Sequence, residues 1–149
     1  MYTVKLCSTA EELEAIIDLR VKILRRPWSQ PRETATDELE GTSVNAFIGN
    51  EKGQVIACGR LQENAGKVGQ IRYMAVDSAY QGQGLGKLIL QFLEVEAKKL
   101  HLSKIELQAR ENAVHFYKAN HYAIKEKSFL LWGIIQHYLM EKFLIQPNH

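Results

Sequence analysis

The stretch AVDSAYQGQGLGKLILQFL, residues 75–93, constrains this chain more than any other. An apolar run ends at Asp77, three glycines follow at alternate positions (Gly82, Gly84, Gly86), and an amphipathic pattern begins at once. Glycine weakens both strands and helices. Its repetition at a strand-to-helix junction therefore implies a close approach of backbone to a ligand, as when a phosphate docks on a helix N-terminus.

The surrounding periodicities set the fold class. Period-two alternation predicts strands over residues 2–7, 43–49, 54–61, 68–76, 104–109, 122–129 and 134–143. Leu13, Ile16, Ile17, Leu19 and Ile23 recur at helical spacing behind Thr9 and Glu12, which fit a capping box, and this helix should stop before Pro27. A second helix is predicted from Leu85 to near His101, and a short third one over residues 112–120, with Asn112 as its N-cap. The order β-α-(loop)-β-β-β-α-β-α-β-β predicts a mixed α/β sheet whose first half is antiparallel, with a parallel crossover across residues 68–109. Residues 25–42 are polar and hold Trp28 and two of the three prolines. They read either as a lid or binding loop or as a solvated linker.

A chain of 149 residues with 46% apolar composition suits one domain spanning residues 1–149. The net charge of +2 is too mild to argue for a nucleic-acid partner or an anionic membrane. Cys7 and Cys58 lie far apart and outside any metal-ligand spacing, so no metal site is expected and both read as buried reduced thiols. The N-terminus shows no basic segment leading into a long apolar core, and FLLWGII (129–135) is too short to span a bilayer. A cytoplasmic location is the expectation.

Three phosphate-binding loops compete for the glycines. A Walker A loop fails, because Leu88 follows Gly86-Lys87 where Ser or Thr must hold Mg²⁺. A dinucleotide fingerprint fails, because GQGLGK brings the third glycine one position early and its strand follows an antiparallel meander. The third is Gln81-x-x-Gly84-x-Gly86 directly after a strand. In this the sequence resembles the GNAT acyl-CoA-dependent N-acetyltransferases, whose signature is (Gln/Arg)-x-x-Gly-x-(Gly/Ala) between the fourth strand and the next helix. ARENAVHFYKANHY (109–122) is similar to the family's second signature, and GIIQHYLMEK (133–142) to its last strand. The start LRVKILRRPW (19–28) is most similar to the small bacterial ElaA-like branch.

The resemblance implies a GNAT fold with splayed parallel strands 4 and 5, acetyl-CoA as co-substrate, and a primary amine as acceptor, either a small molecule or a protein amine. It implies that Gln81, Gly82, Gln83, Gly84, Leu85, Gly86 and Lys87 cradle the pyrophosphate. Met74, Ala75 and Val76 would hold the pantetheine and polarise the thioester, Asn112 would contact CoA, and Tyr117 would protonate the departing thiolate; the other reading of Tyr117 is a packed aromatic. The chain departs from the family pattern at Gln70, where many relatives carry a Glu, because an amide is no general base. Glu63, Glu106, Asp37 and Glu38 are substitutes on this reading, as is a water chain. His137 reads as packing at a strand start. Arg72 shares the face of Gln70 and reads either as an anion-binding residue or as a structural ion pair. Arg72, Trp28 and Glu38 are the acceptor-site candidates, with the first helix and the 25–42 loop as acceptor wall. FLLWGII offers a surface for a homodimer or belongs to a buried terminal strand. A non-catalytic acyl-CoA-binding module and a nucleotide-binding protein are the competing classes.

Overall fold

The structure, a computed structural model, describes residues 1–144. Seven strands form one sheet: β1 (Lys5–Leu6), β2 (Val44–Gly49), β3 (Val55–Asn64), β4 (Val68–Val76), β5 (Lys104–Arg110), β6 (Ala123–Leu131) and β7 (Ile135–Phe143). Their spatial order is β1-β2-β3-β4-β5-β7-β6. Every neighbouring pair is antiparallel except β4–β5. The helices are α1 (Ala10–Arg20), α2 (Leu85–Lys99) and α3 (Val114–Ala119). The α/β class, the mixed, mostly antiparallel sheet and the parallel β4–β5 crossover are as the periodicities predict.

Two corrections are local. The first strand shrinks from the expected 2–7 to Lys5–Leu6 at the sheet edge. Asn112 does not cap α3: a 3₁₀ turn over Glu111–Ala113 precedes the helix and moves its N-cap to Ala113. The capping box of α1 forms as read, with Glu12 N–H donating to Thr9 Oγ1 at 3.0 Å. The chain leaves α1 through a π-turn, Val21–Arg25, and a 3₁₀ turn, Arg26–Trp28, before Ser29.

The two faces of the sheet carry two cores. Leu85, Ile89, Leu90, Leu93 and Ala97 of α2 pack on Ile48, Ile56, Leu61 and Ile71. Ile16 and Leu19 of α1 pack on Phe47, Cys58 and Ala75 from the other side. Cys58 is buried, which pushes its thiol up to about 11, whereas Cys7 is only half-buried.

A bulge in β4 sets the geometry of the functional edge. Arg60 of β3 pairs with Arg72, but Cys58 pairs with Ala75, so two residues of β4 (Tyr73, Met74) oppose Gly59 alone. Tyr73 takes φ +56°, a left-handed conformation that costs an aromatic residue energy. Consequently Arg72 and Tyr73 both face α1, while Met74 faces α2 and occupies the space a Gly59 side chain would need. An added Cβ there would lie 2.5 Å from Met74 Sδ.

Beyond Ile71 and Leu107 the ladder between β4 and β5 ends. Each strand keeps its outer partner to the end, β4 with β3 through Val76 and β5 with β7 through Arg110. The sheet therefore opens as a V between its two halves, and β4 presents backbone groups with no β5 partner along the opening.

Candidate active site

A cleft of about 910 Å³ fills the V. Its floor is the parted ends of β4 and β5, including Gln70, Arg72, Met74, Ala75, Val76, Gln108 and Arg110. At one end Gln81, Gly82, Gly84, Leu85, Gly86 and Lys87 form the lip. Gly82 and Gly84 have φ +79° and +77°, and an added Cβ at either would meet nothing within 4 Å, so the loop lies open in front of the α2 N-terminus. Gly84 is itself the N-cap of α2, with no side-chain cap bond. The free amide donors of the first helical turn and the helix dipole thus point toward the lip. Gln81 Nε2 donates to Val76 O at 3.0 Å, which ties the loop to the strand end.

Asn112, Phe116 and Tyr117 line the β5 side of the cleft. The Asn112 amide makes no hydrogen bond among the described residues, so it is available to a ligand. Tyr117 is 7% exposed and packs edge-on against Phe116 and Tyr122, and its hydroxyl has no protein partner among the described residues. Burial raises its phenol pKa above the ordinary value, so the group carries its proton across the neutral range.

The other end of the cleft is aromatic and cationic. Trp28, from the 3₁₀ turn after α1, faces Trp132, from the β6–β7 turn, with ring centroids 6.2 Å apart. Trp132 has φ +52° and precedes Gly133 at +73°, a turn suited to twisted hairpins but strained for a tryptophan. Arg110 lies 4.5 Å from the Trp28 ring and 5.8 Å from Trp132, and Arg25 lies 5.3 Å from Trp132. Four groups lining the cleft are formally cationic, Arg25, Arg72, Lys87 and Arg110, and no carboxylate lines it among the described residues.

Below this wall lies a buried charge cluster. Arg20 and Arg60 are both fully buried. Arg20 pairs with Glu40 through bonds of 2.7 and 3.2 Å and donates to Ala35 O and Asn45 Oδ1. Arg60 holds Asp37 in a fork of 2.8 and 2.9 Å, and Arg72 donates to the same carboxylate at 3.0 Å. Among the described residues, the Nε atoms of Arg20 and Arg60 have no hydrogen-bond partner. Both guanidiniums instead sit over the ring of Tyr73, at 4.4 and 4.9 Å, where the π face takes part of the cationic charge. Burial works to raise Glu40, but Arg20 and its other donors outweigh it and bring its pKa to about 2. These bonds pin residues 35–40 to the sheet, so the polar 25–42 segment is a fixed wall and not a solvated linker.

Of the acceptor candidates, Trp28 and Arg72 line the cleft, whereas Glu38 is exposed and lies outside it. Its neighbour Asp37 makes the contact with Arg72. Gln83 also lies outside the lining, exposed, accepting from Tyr2 Oη at 2.6 Å. The substitute bases disperse. Asp37 is lowered chiefly by its bond from Arg60. Burial works to raise Glu106, but Lys104 and Lys125 outweigh it and leave its pKa lowered. Glu63 is exposed at the far end of β3. Gln70 accepts from Asn64 at 3.0 Å and more weakly from Gln62 at 3.4 Å.

His137 is the lining group that sequence reasoning assigned to packing. It is 5% exposed and stacked on Phe129 at 4.5 Å, and its Nδ1 lies 3.0 Å from Ile135 O. A carbonyl only accepts, so Nδ1 carries the hydrogen and Nε2 keeps a free lone pair. Burial lowers its pKa, aided by Arg110, which keeps it neutral near pH 7. Arg25, Arg110 and Trp132 were not singled out from sequence; Arg25 falls in the flagged polar segment, and Trp132-Gly133 was legible as a turn.

The family model described as "Acetyltransferase (GNAT) family" matches residues 13–122. The uncharacterized N-acetyltransferase YjcF of Bacillus subtilis strain 168 is 29% identical over 125 residues, covering 83% of this chain and 88% of YjcF. In fold, the chain superimposes on a candidate N-acetyltransferase from Lactobacillus plantarum with a TM-score of 0.85 at 18% identity, covering 97% and 99% of the two chains. It superimposes on Escherichia coli ElaA with a TM-score of 0.81 at 15% identity, covering 95% and 99%. Both structural likenesses speak to the fold alone.

Proposed function

The chain belongs to the GNAT acetyltransferase family, and from that premise we propose that it transfers an acetyl group from acetyl-CoA directly to a primary amine within a ternary complex. The observation that carries this reading is the V between β4 and β5, which opens beside the Gly82–Gly84 cradle and is lined by Tyr117. The cradle fits a pyrophosphate, because backbone donors converge on it and no Cβ stands in the way. The unpaired backbone of β4 fits an extended pantetheine arm, which would add to the sheet as a strand.

On this reading the N–H groups of residues 74–76 stabilise the charge that develops on the thioester carbonyl oxygen, about 3 kcal/mol for one well-aimed donor. His137 Nε2 accepts the proton of the attacking amine; among the described residues it is the lining side chain with a free lone pair and a pKa in the neutral range or below. The cationic wall helps, since nearby Arg25, Arg72 and Arg110 disfavour the ammonium form of an amine. Tyr117, held protonated by burial, donates a hydrogen bond to the departing sulfur.

The test is release of free CoA by the purified chain with acetyl-CoA and a broad panel of amines. Release with at least one amine, sharply reduced in Tyr117→Phe, supports the reading. Tight acetyl-CoA binding without release for any amine overturns it in favour of an acyl-CoA-binding module, the reading that the carboxylate-free cleft wall favours. Competition of ATP or NAD against CoA would overturn both.

A further inference from the structure

The acceptor end of the cleft holds more positive charge than the protein neutralises. Arg25 is 8% exposed, and its guanidinium donates only to neutral oxygens: Thr34 Oγ1 and Thr34 O, both at 2.8 Å, and Leu24 O at 3.0 Å. Among the described residues Arg110 makes a single hydrogen bond, also to Leu24 O at 3.0 Å. Neither meets a carboxylate among the described residues. By contrast, Arg20 and Arg60 behind them are paired with Glu40 and Asp37, and Arg72 shares Asp37. The fold thus supplies counter-ions for Arg20, Arg60 and Arg72 and, among the described residues, none for Arg25 and Arg110 of the cleft wall. Burial lowers the pKa of both, and their mutual repulsion pushes Arg110 further, to about 10.

Holding two such cations together in a low-dielectric wall costs free energy that an incoming anion would return. The indoles of Trp28 and Trp132 keep water from the guanidinium faces, which strengthens any charge-assisted bond made there. Among the described residues, most of the Arg110 fork and part of that of Arg72 are uncommitted to protein acceptors.

Resting on the transferase reading above, we infer that the acceptor is a small amine that also carries an oxyanion, a carboxylate or a phosphate, held by Arg110 and Arg25 between Trp28 and Trp132. The oxyanion binds at the arginine pair and its amine reaches inward toward His137 and the thioester. Polycationic amines are repelled by the same wall.

The experiment compares matched acceptors with the purified full chain and acetyl-CoA: amino acids, aminoalkyl phosphates, the corresponding neutral carboxamides and alcohols, and linear polyamines. Free CoA is the readout. An oxyanion-bearing amine is expected to exceed its neutral counterpart in kcat/KM by about tenfold or more, the scale of one or two charge-assisted hydrogen bonds. The carboxylate and phosphate arms show which anion is preferred. The preference should shrink as ionic strength rises. Arg110→Gln should collapse the acid-to-amide ratio by raising KM for the acid, with partial recovery in Arg110→Lys. Equal or better turnover of neutral or polycationic amines overturns the inference while leaving the transferase reading intact. If no amine turns over, calorimetric titration of the same acids into CoA-saturated protein decides separately: binding lost in Arg110→Gln supports the anion site, and no binding overturns it.

Discussion

Trp28 and Trp132 stand 6.2 Å apart, although 103 positions separate them in the chain. One comes from the turn after α1 and the other from the turn between β6 and β7, and together they line the aromatic, cationic end of the cleft. Trp132 adopts φ +52° to reach this position. Trp132→Gly should therefore raise the acceptor KM by about tenfold or more while leaving the acetyl-CoA KM near wild type. Relief of roughly 1 kcal/mol of left-handed strain should largely offset the lost ring contacts in stability. Steady-state kinetics in both substrates and urea denaturation check the two halves of this prediction.

Tyr117 is the only lining group aimed at the β5 side with a free phenol among the described residues. Tyr117→Phe removes one oxygen from a packed aromatic cluster. It should lower kcat by about 10²-fold, within the range of a positioned acid or hydrogen-bond donor. Acetyl-CoA affinity, read by calorimetry, should change little. Loss of binding in step with kcat would show that the hydroxyl serves the fold or the cofactor arm instead.

The buried, neutral His137 gives a pH signature. Its pKa is lowered from 6.5, so the limb it contributes to kcat/KM should lie below pH 6.5, separate from the limb that the free amine's own ionisation at about pH 10 adds. Tyr117 is raised, so it adds no falling limb below pH 10. His137→Gln should abolish the acidic limb and reduce kcat by about 10²-fold or more. A mutant that keeps the wild-type limb would move the base elsewhere.

Glu40 governs acid stability. Its carboxylate is lowered from 4.5 to about 2, so the stability it contributes is fully present above its unfolded value and is lost as pH falls toward about 2. Glu40→Gln leaves the fully buried Arg20 without its counter-ion. The expected loss at pH 7 is roughly 3 kcal/mol, with a flatter decline in acid than wild type. Denaturant melts at pH 7, 5 and 3 measure both.

Gly84→Ala separates conformation from space. An added Cβ meets no protein atom within 4 Å, yet φ is +77°. The substitution should cost about 1 kcal/mol of stability and weaken acetyl-CoA binding by more than that cost accounts for, since the methyl enters the phosphate cradle. Thermal melts with and without acetyl-CoA distinguish the two effects.

What could be read from the sequence was the part written contiguously. Residues 74–87 specify a strand end, a turn and a helix start within one window, and Asn112 and Tyr117 lie in another. The aromatic and cationic wall of the cleft was illegible because it is assembled from Arg25, Arg110, Trp132 and His137, which no periodicity brings together. The pairing of β5 with β7 sets Arg110 opposite His137, while the turn after α1 brings in Arg25 and the β6–β7 turn brings in Trp132. The search for a carboxylate base failed for a related reason: Asp37 and Glu106 carry the right chemistry, but arginines of β3 and β4 claim the first, and Lys104 of its own strand and Lys125 of β6 claim the second. Asn112 misled through composition alone, as a good capping residue that a 3₁₀ turn moves one place out of position.

The extra residue at Tyr73 also fixes the phase of β4. Upstream of it Gln70 and Arg72 face α1 while Gly69 and Ile71 face α2; downstream, Ala75 faces α1 and Met74 faces α2. Deleting Tyr73 would restore strict alternation with Arg72 still facing α1 and Met74 still facing α2, but it would remove the ring over which the buried guanidiniums of Arg20 and Arg60 sit. The irregularity at Tyr73 thus adds a ring to the α1 face, and the strand is read in one frame before it and in the other after it.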